Sequence, residues 1–207
     1  MALVKYNNNS LSSVTSAAGF PAGAMTLIKT LTASSSSTLS FVDGSSDVVL
    51  DSTYPIYLFK FINMHPATDG TDFQFNGSAD TGSNYNVTKT TSVFRANANE
   101  GDSSANVNYD TGRDLSQSTS FQNVLSIIGN GNDECASGEL FLFNPSSTTF
   151  VKLFIARGNV YLNSNYTRDE YLGGYFNTTS AIDAIQFKMA SGNIDAGTVK
   201  LYGIKDS

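Results

Sequence analysis

Tryptophan is absent from the sequence, and cysteine and histidine occur once each, as Cys135 and His65. A single cysteine excludes an intramolecular disulfide and a cysteine-rich metal centre, so packing and strand pairing must hold the fold together. With no histidine or basic group close to it in sequence, Cys135 reads as a buried or spare thiol. His65 stands directly before Pro66 in a strand-like stretch, without a partner that local spacing would bring to a metal. Neither a histidine-based zinc site nor a Ser-His-Asp relay therefore has local support.

Charge is also scarce. Asp, Glu, Lys and Arg together make up 14% of the chain, and the formal net charge is -6. No Lys/Arg cluster offsets that balance, so a nucleic-acid phosphate backbone is an unfavourable partner. Long apolar runs are missing too: nothing approaches the roughly 20 residues of a membrane-spanning helix. Asn7-Asn8-Asn9-Ser10 breaks up the N-terminal stretch before it reaches signal-peptide length, so synthesis in a cytoplasm and no membrane partner are expected. Phosphate-cradling glycine motifs do not occur in a strand-to-helix context. Gly173-Gly174, inside the aromatic run Tyr171–Phe176, reads more simply as a bulge or a close strand approach. No cofactor is expected.

What the chain does hold is 40% hydrophobic residues in a background of Ser, Thr, Asn and Gly, a balance that favours strands and turns over exposed helix faces. Asp72-Phe73-Gln74-Phe75-Asn76 alternates with the two-residue period of a half-buried strand. Ile185, Phe187 and Met189 share one strand face while Gln186 and Lys188 share the other, and Val199 and Leu201 repeat the pattern near the end. Tyr54–Ile62 and Phe150–Ala156 are apolar on both parities, which predicts central strands covered on both sides, by a sheet and by a loop or neighbour. Turn chemistry separates these runs at Asp43-Gly44, Asp69-Gly70, Asn76-Gly77, Thr81-Gly82, Gly129–Asn132, Asn144-Pro145 and Ser191-Gly192. Between Asp114 and Ile128 a short helix and a strand compete, since Phe121, Val124, Leu125 and Ile128 fall at helical spacing. The 207 residues suit one domain, and the expected fold is all-β, an antiparallel two-sheet jelly-roll sandwich over residues 24–207. Residues 1–23 read as an irregular N-terminal arm whose Leu3, Val4, Tyr6, Leu11 and Val14 serve docking or subunit contact.

Candidate chemistry is thin. Asp169 with Glu170, or Asp69 with Asp72, supplies the residue types of a glycosidase pair, but that reaction needs two carboxyl groups about 5 to 9.5 Å apart across a sugar. Neighbouring strand residues such as Asp169 and Glu170 point to opposite faces, and Asp69 and Asp72 fit turns. Asp69, Asp72 and Asp80 offer oxygens to Ca2+, though their spacing matches no EF-hand loop. Tyr161, Tyr166, Tyr171 and Tyr175 form the aromatic group to weigh, as glycan contacts or as core and subunit-interface residues.

Four stretches carry a family resemblance: Asn63-Met64-His65-Pro66-Ala67-Thr68-Asp69-Gly70, Phe73-Gln74-Phe75-Asn76-Gly77-Ser78, Gly173-Gly174-Tyr175-Phe176-Asn177, and the closing run Ser191–Lys205 ending Gly197-Thr198-Val199-Lys200-Leu201-Tyr202-Gly203-Ile204-Lys205. From about Ala22 to Lys205 the chain resembles small jelly-roll virion structural proteins recurrent in marine cyanophage and pelagiphage genomes. The resemblance implies a non-enzymatic decoration, fibre or tail-associated protein of a phage particle, made in the host cytoplasm. Its partners would be other virion proteins of the capsid or tail scaffold and further copies of itself, as a homotrimer. A host-glycan-binding adhesin module is the alternative. The family brings no catalytic residues to transfer.

Overall fold

A computed structural model describes residues 24–205 of the chain. The arm, with Leu3, Val4, Tyr6, Leu11 and Val14, lies outside the described residues. Among the described residues all twelve elements are strands. In chain order they are β1 (Met25–Ser36), β2 (Leu39–Val42), β3 (Ile56–Pro66), β4 (Thr71–Ser78), β5 (Lys89–Asn99), β6 (Ala105–Tyr109), β7 (Gln122–Ile128), β8 (Ala136–Phe143), β9 (Lys152–Leu162), β10 (Tyr166–Phe176), β11 (Ala184–Met189) and β12 (Ile194–Ile204).

Every ladder is antiparallel. The strands follow the order β1-β12-β3-β8-β9-β7-β4-β11-β2, with a branch from β9 through β10 and β5 to β6. The join between β9 and β7 is one residue pair, Leu162 with Ile128. Because β1 and β2, the two ends of the path, touch, the sheet curls nearly into a closed barrel.

Phenylalanine fills the interior. The Phe187 ring of β11 lies 5.2 to 6.4 Å from the rings of Phe41, Phe59, Phe61, Phe73 and Phe75, mostly edge to face. Phe154 and Phe176 continue this cluster beneath β9 and β10. Edge-to-face packing aligns a ring's positive edge with its neighbour's negative face, which adds to the gain from burial. The alternation read from Asp72–Asn76, Ile185–Met189 and Val199–Leu201 sends these residues inward as expected: Phe73, Phe75, Ile185, Phe187, Val199 and Leu201 are all fully buried.

Two open alternatives are decided and one local expectation changes. Residues 122–128 form a strand, not a helix. Opposite β4 this strand carries extra residues, so Thr71 faces Ile128, Phe73 faces Leu125 and Gln74 faces Asn123. Each bulge resets the strand's parity, and Val124, Leu125 and Ile128 are buried at a spacing that imitates a helix. Asn76-Gly77 is not a turn: both residues lie inside β4, where a Cβ on Gly77 would come within 2.8 Å of the Phe176 ring. The Gly173-Gly174 pair makes no bulge, since β10 runs in regular register with both β5 and β9. Close approach is the operative reason at Gly174, where a Cβ would lie 2.7 Å from the Thr90 carbonyl oxygen.

Candidate interaction face

Strand β9 sits centrally, between β8 and β10, but the described residues cover it on one side only. Lys152, Phe154, Ala156 and Val160 point inward and are buried, while Leu153 and Ile155 are 55% and 51% exposed on the outer face. Of the two sides expected to be covered over Phe150–Ala156, the described residues of the chain cover the inner one, and the outer one stays open to a neighbour. Leu58 of β3, by contrast, lies on that outer face and is only 3% exposed, walled in by its ladder partners Tyr202 and Phe141.

The ladders arrange the outer face into rows. One row runs Met25, Ile204, Ile56 and Phe143 across β1, β12, β3 and β8, and continues with Leu153 and Tyr175 on β9 and β10. The next runs Leu27, Tyr202, Leu58, Phe141 and Ile155, and ends at Gly173. These two rows contain no charged side chain. A third row brings charge back as Lys200, Lys60, Glu139 and Arg157, then Tyr171, Phe94 and Tyr109. Met25 and Leu27, at 46% and 50% exposed, match Leu153 and Ile155 at the other side of the band. Scattered exposed apolar residues are ordinary, but a contiguous apolar band is the mark of a contact surface.

Two shallow hollows, of about 570 and 450 Å3, indent this face on either side of Gly173. A side chain is missing there without being excluded: a Cβ on Gly173 would meet nothing nearer than Ser92 Oγ at 3.9 Å.

The four tyrosines do not form one cluster. Tyr166 packs against the hydrophobic core. Tyr161, Tyr171 and Tyr175 share the outer side of the sheet, but Tyr161 lies two rows beyond Tyr171, where its hydroxyl donates to Glu100 at 2.9 Å. Tyr171 stacks on Phe94 with the ring planes 4° apart and centroids 4.5 Å apart, and the Arg157 guanidinium covers it 4.8 Å from its centroid. With a ring on one side and a cation over it, Tyr171 has no free face to offer a sugar. Tyr175 lines the larger hollow with Leu153.

The carboxylates are equally dispersed. Asp169 points outward, bridged by Arg157 at 2.7 Å, and that hydrogen bond pulls its pKa down. Glu170 points inward, 3% exposed, against Ser126 and Arg168, and burial pushes its pKa up. The two therefore lie on opposite faces of β10. Asp72 starts β4, where its carboxylate accepts from the Ile127 amide at 2.8 Å, from Asn123 at 2.9 Å, and faces Arg113. Asp80 follows the other end of that strand, tied to Ser78 and Asn84, whose hydrogen bonds hold its pKa down to about 2. Asp69 holds the Asn130 amide and Asn163. The three aspartates weighed for Ca2+ thus hold three separate sets of partners, and among the described residues no group of three His, Cys, Asp or Glu side chains converges for a metal.

The structure gives His65 partners that its sequence neighbours do not. Its Nδ1 lies 3.4 Å from Asp195 and its Nε2 3.2 Å from the Gly131 carbonyl oxygen, in a hollow that Cys135 also lines. Since Nε2 meets a backbone carbonyl, the imidazole is not aimed at the thiol as a base. Comparison of the chain with family models, with curated proteins and with solved structures found no match.

Proposed function

We propose that this protein is a structural subunit of a phage particle, a surface decoration or fibre and tail-associated component that works by assembly, as a homo-oligomer, rather than by catalysis. The observation that carries the assembly part is the charge-free band over six strands of one outer face. Apolar surface left open to water costs about 25 cal/mol per Å2 relative to burial, and two adjacent ladder rows gather it into one strip. The phage assignment rests on the resemblance of the His65–Gly70 and Gly197–Lys205 stretches to virion structural proteins.

The strand order supports a jelly-roll reading of the fold. With the β5–β6 and β9–β10 hairpins set aside as insertions, the remaining eight strands, renumbered 1 to 8, run 1-8-3-6 along one half of the strand path and 5-4-7-2 along the other. That is the pairing of two Greek keys folded together. Such a sandwich projects its loops at the two ends and leaves the outer sheet faces free for neighbours.

The test is a cryo-EM map of purified particles from the phage that encodes the chain. Density with this strand order at repeated sites on the head, tail or fibre is the expected result. Particles that lack the protein, by mass spectrometry and by map, overturn the proposal.

A further inference from the structure

The apolar band says that something covers this face, and its border says what. We infer that the outer face of β1-β12-β3-β8-β9-β10 binds a second copy of this chain, packed sheet against sheet. This deepens the assembly reading above and rests on it.

Area is the first argument. Strands about 4.8 Å apart and side-chain rows about 7 Å apart give six strands and two rows a footprint on the order of 400 Å2. The bordering row, with Tyr171 and Phe94, extends it towards the roughly 800 Å2 per partner that a stable interface buries. The apolar part is then close to what the core of such an interface holds.

Charge is the second argument. The bordering row carries Lys200 and Lys60 on β12 and β3, and Glu139 on β8; none of the three makes an ion pair among the described residues. Arg157, the next charge along, is already neutralised by Asp169. A border that offers unpaired charge of both signs complements a copy of itself, whereas a uniformly acidic or basic partner would meet like charge on one side of the row. Regularity is the third. Around Phe141, Ile155 and Tyr175 the β8–β9 and β9–β10 ladders run without register shifts, so the backbone under the band is regular enough to pack against another sheet.

The experiment measures mass in solution for the full chain and for a variant carrying Leu153→Asp with Ile155→Asp. Both side chains are more than half exposed, so the variant should keep its far-UV spectrum and cooperative melt. The expected result is a wild-type multimer, and a variant at the single-chain mass of 22.1 kDa, with self-affinity lowered on the order of a hundredfold. A second variant, Lys60→Glu, leaves the apolar band intact and should weaken association through the border alone. Wild-type chain that stays monomeric overturns the inference and the self-association in the reading above, but leaves the placement in a particle standing. A variant as multimeric as wild type overturns the placement of the interface. The particle reading fails separately, on absence of the protein from particles.

Discussion

Lys89 is the residue whose burial conflicts most with its chemistry. It is fully buried, and its ammonium donates to the carbonyls of Ser120 at 2.6 Å and Val87 at 3.2 Å, with the Phe176 ring 5.9 Å away and, among the described residues, no carboxylate in an ion pair. Desolvation disfavours the charged form and brings its pKa down to about 8 from 10.5. Between those two values the unfolded chain holds a proton that the folded chain has released, so the stability contributed at Lys89 rises with pH through that window. Methionine at this position cannot titrate. The stability of wild type relative to Lys89→Met, measured by urea unfolding at pH 7 and pH 10, should therefore increase with pH by on the order of 2 kcal/mol. A difference that stays flat would show that the ammonium is not desolvated.

At the scale of elements, the β8–β9 ladder depends on two glycines that face each other. A Cβ on Gly138 would lie 2.6 Å from the Arg157 carbonyl oxygen, and one on Gly158 would lie 2.9 Å from that of Ser137 and strike Leu125 beneath the sheet. Backbone cannot step aside without opening the ladder, so Gly158→Ala should destabilise the protein by about 3 kcal/mol. Gly173→Ala places its methyl in the open hollow and should stay within about 0.5 kcal/mol of wild type. Thermal melts of the two variants side by side check both values, and equal losses would contradict the contrast.

Much of this level was legible in the sequence, because a half-buried strand writes its burial as alternation. Phe73 and Phe75, or Ile185, Phe187 and Met189, need only their own neighbours to be placed. The β7 strand was not, because its two bulges depend on pairing with β4, and the Asp72 carboxylate that takes the Ile127 amide sits 55 positions away. Ile127 has a φ of 57°, a conformation that a β-branched residue adopts only under tertiary constraint. The candidate face was hidden for a different reason. Leu153 and Phe154 are both apolar, and periodicity cannot say that one faces solvent while the other faces a core. Tyr171 and Phe94 stand next to each other only because β5 and β10 pair in a given register.

For the whole molecule the decisive feature is that the first described strand pairs with the last. β12 is bonded to both β1 and β3, and the Lys205 amide donates to the Ala24 carbonyl at 3.0 Å, so the two ends of the domain meet. Closing a ladder between chain ends is entropically expensive until the rest has formed, which predicts folding on the slow, millisecond-to-second side for its size. A chain stopped after Ser191 leaves β1 and β3 with open edges and Phe59 and Phe61 uncovered beside the lost Val199 and Leu201, and should aggregate without a cooperative melt. A circular permutant is the complementary case. Joining residue 205 to residue 24 through a short Gly/Ser linker, and opening the chain at exposed Ser164 in the β9–β10 connection, cuts only one of the two hairpins set aside as insertions. The eight strands of the proposed jelly roll stay continuous, so the permutant should melt in a single transition by circular dichroism. Its failure to fold, while the intact chain folds, would mean that the β9–β10 hairpin is part of the folding core and that the eight-strand description misassigns it.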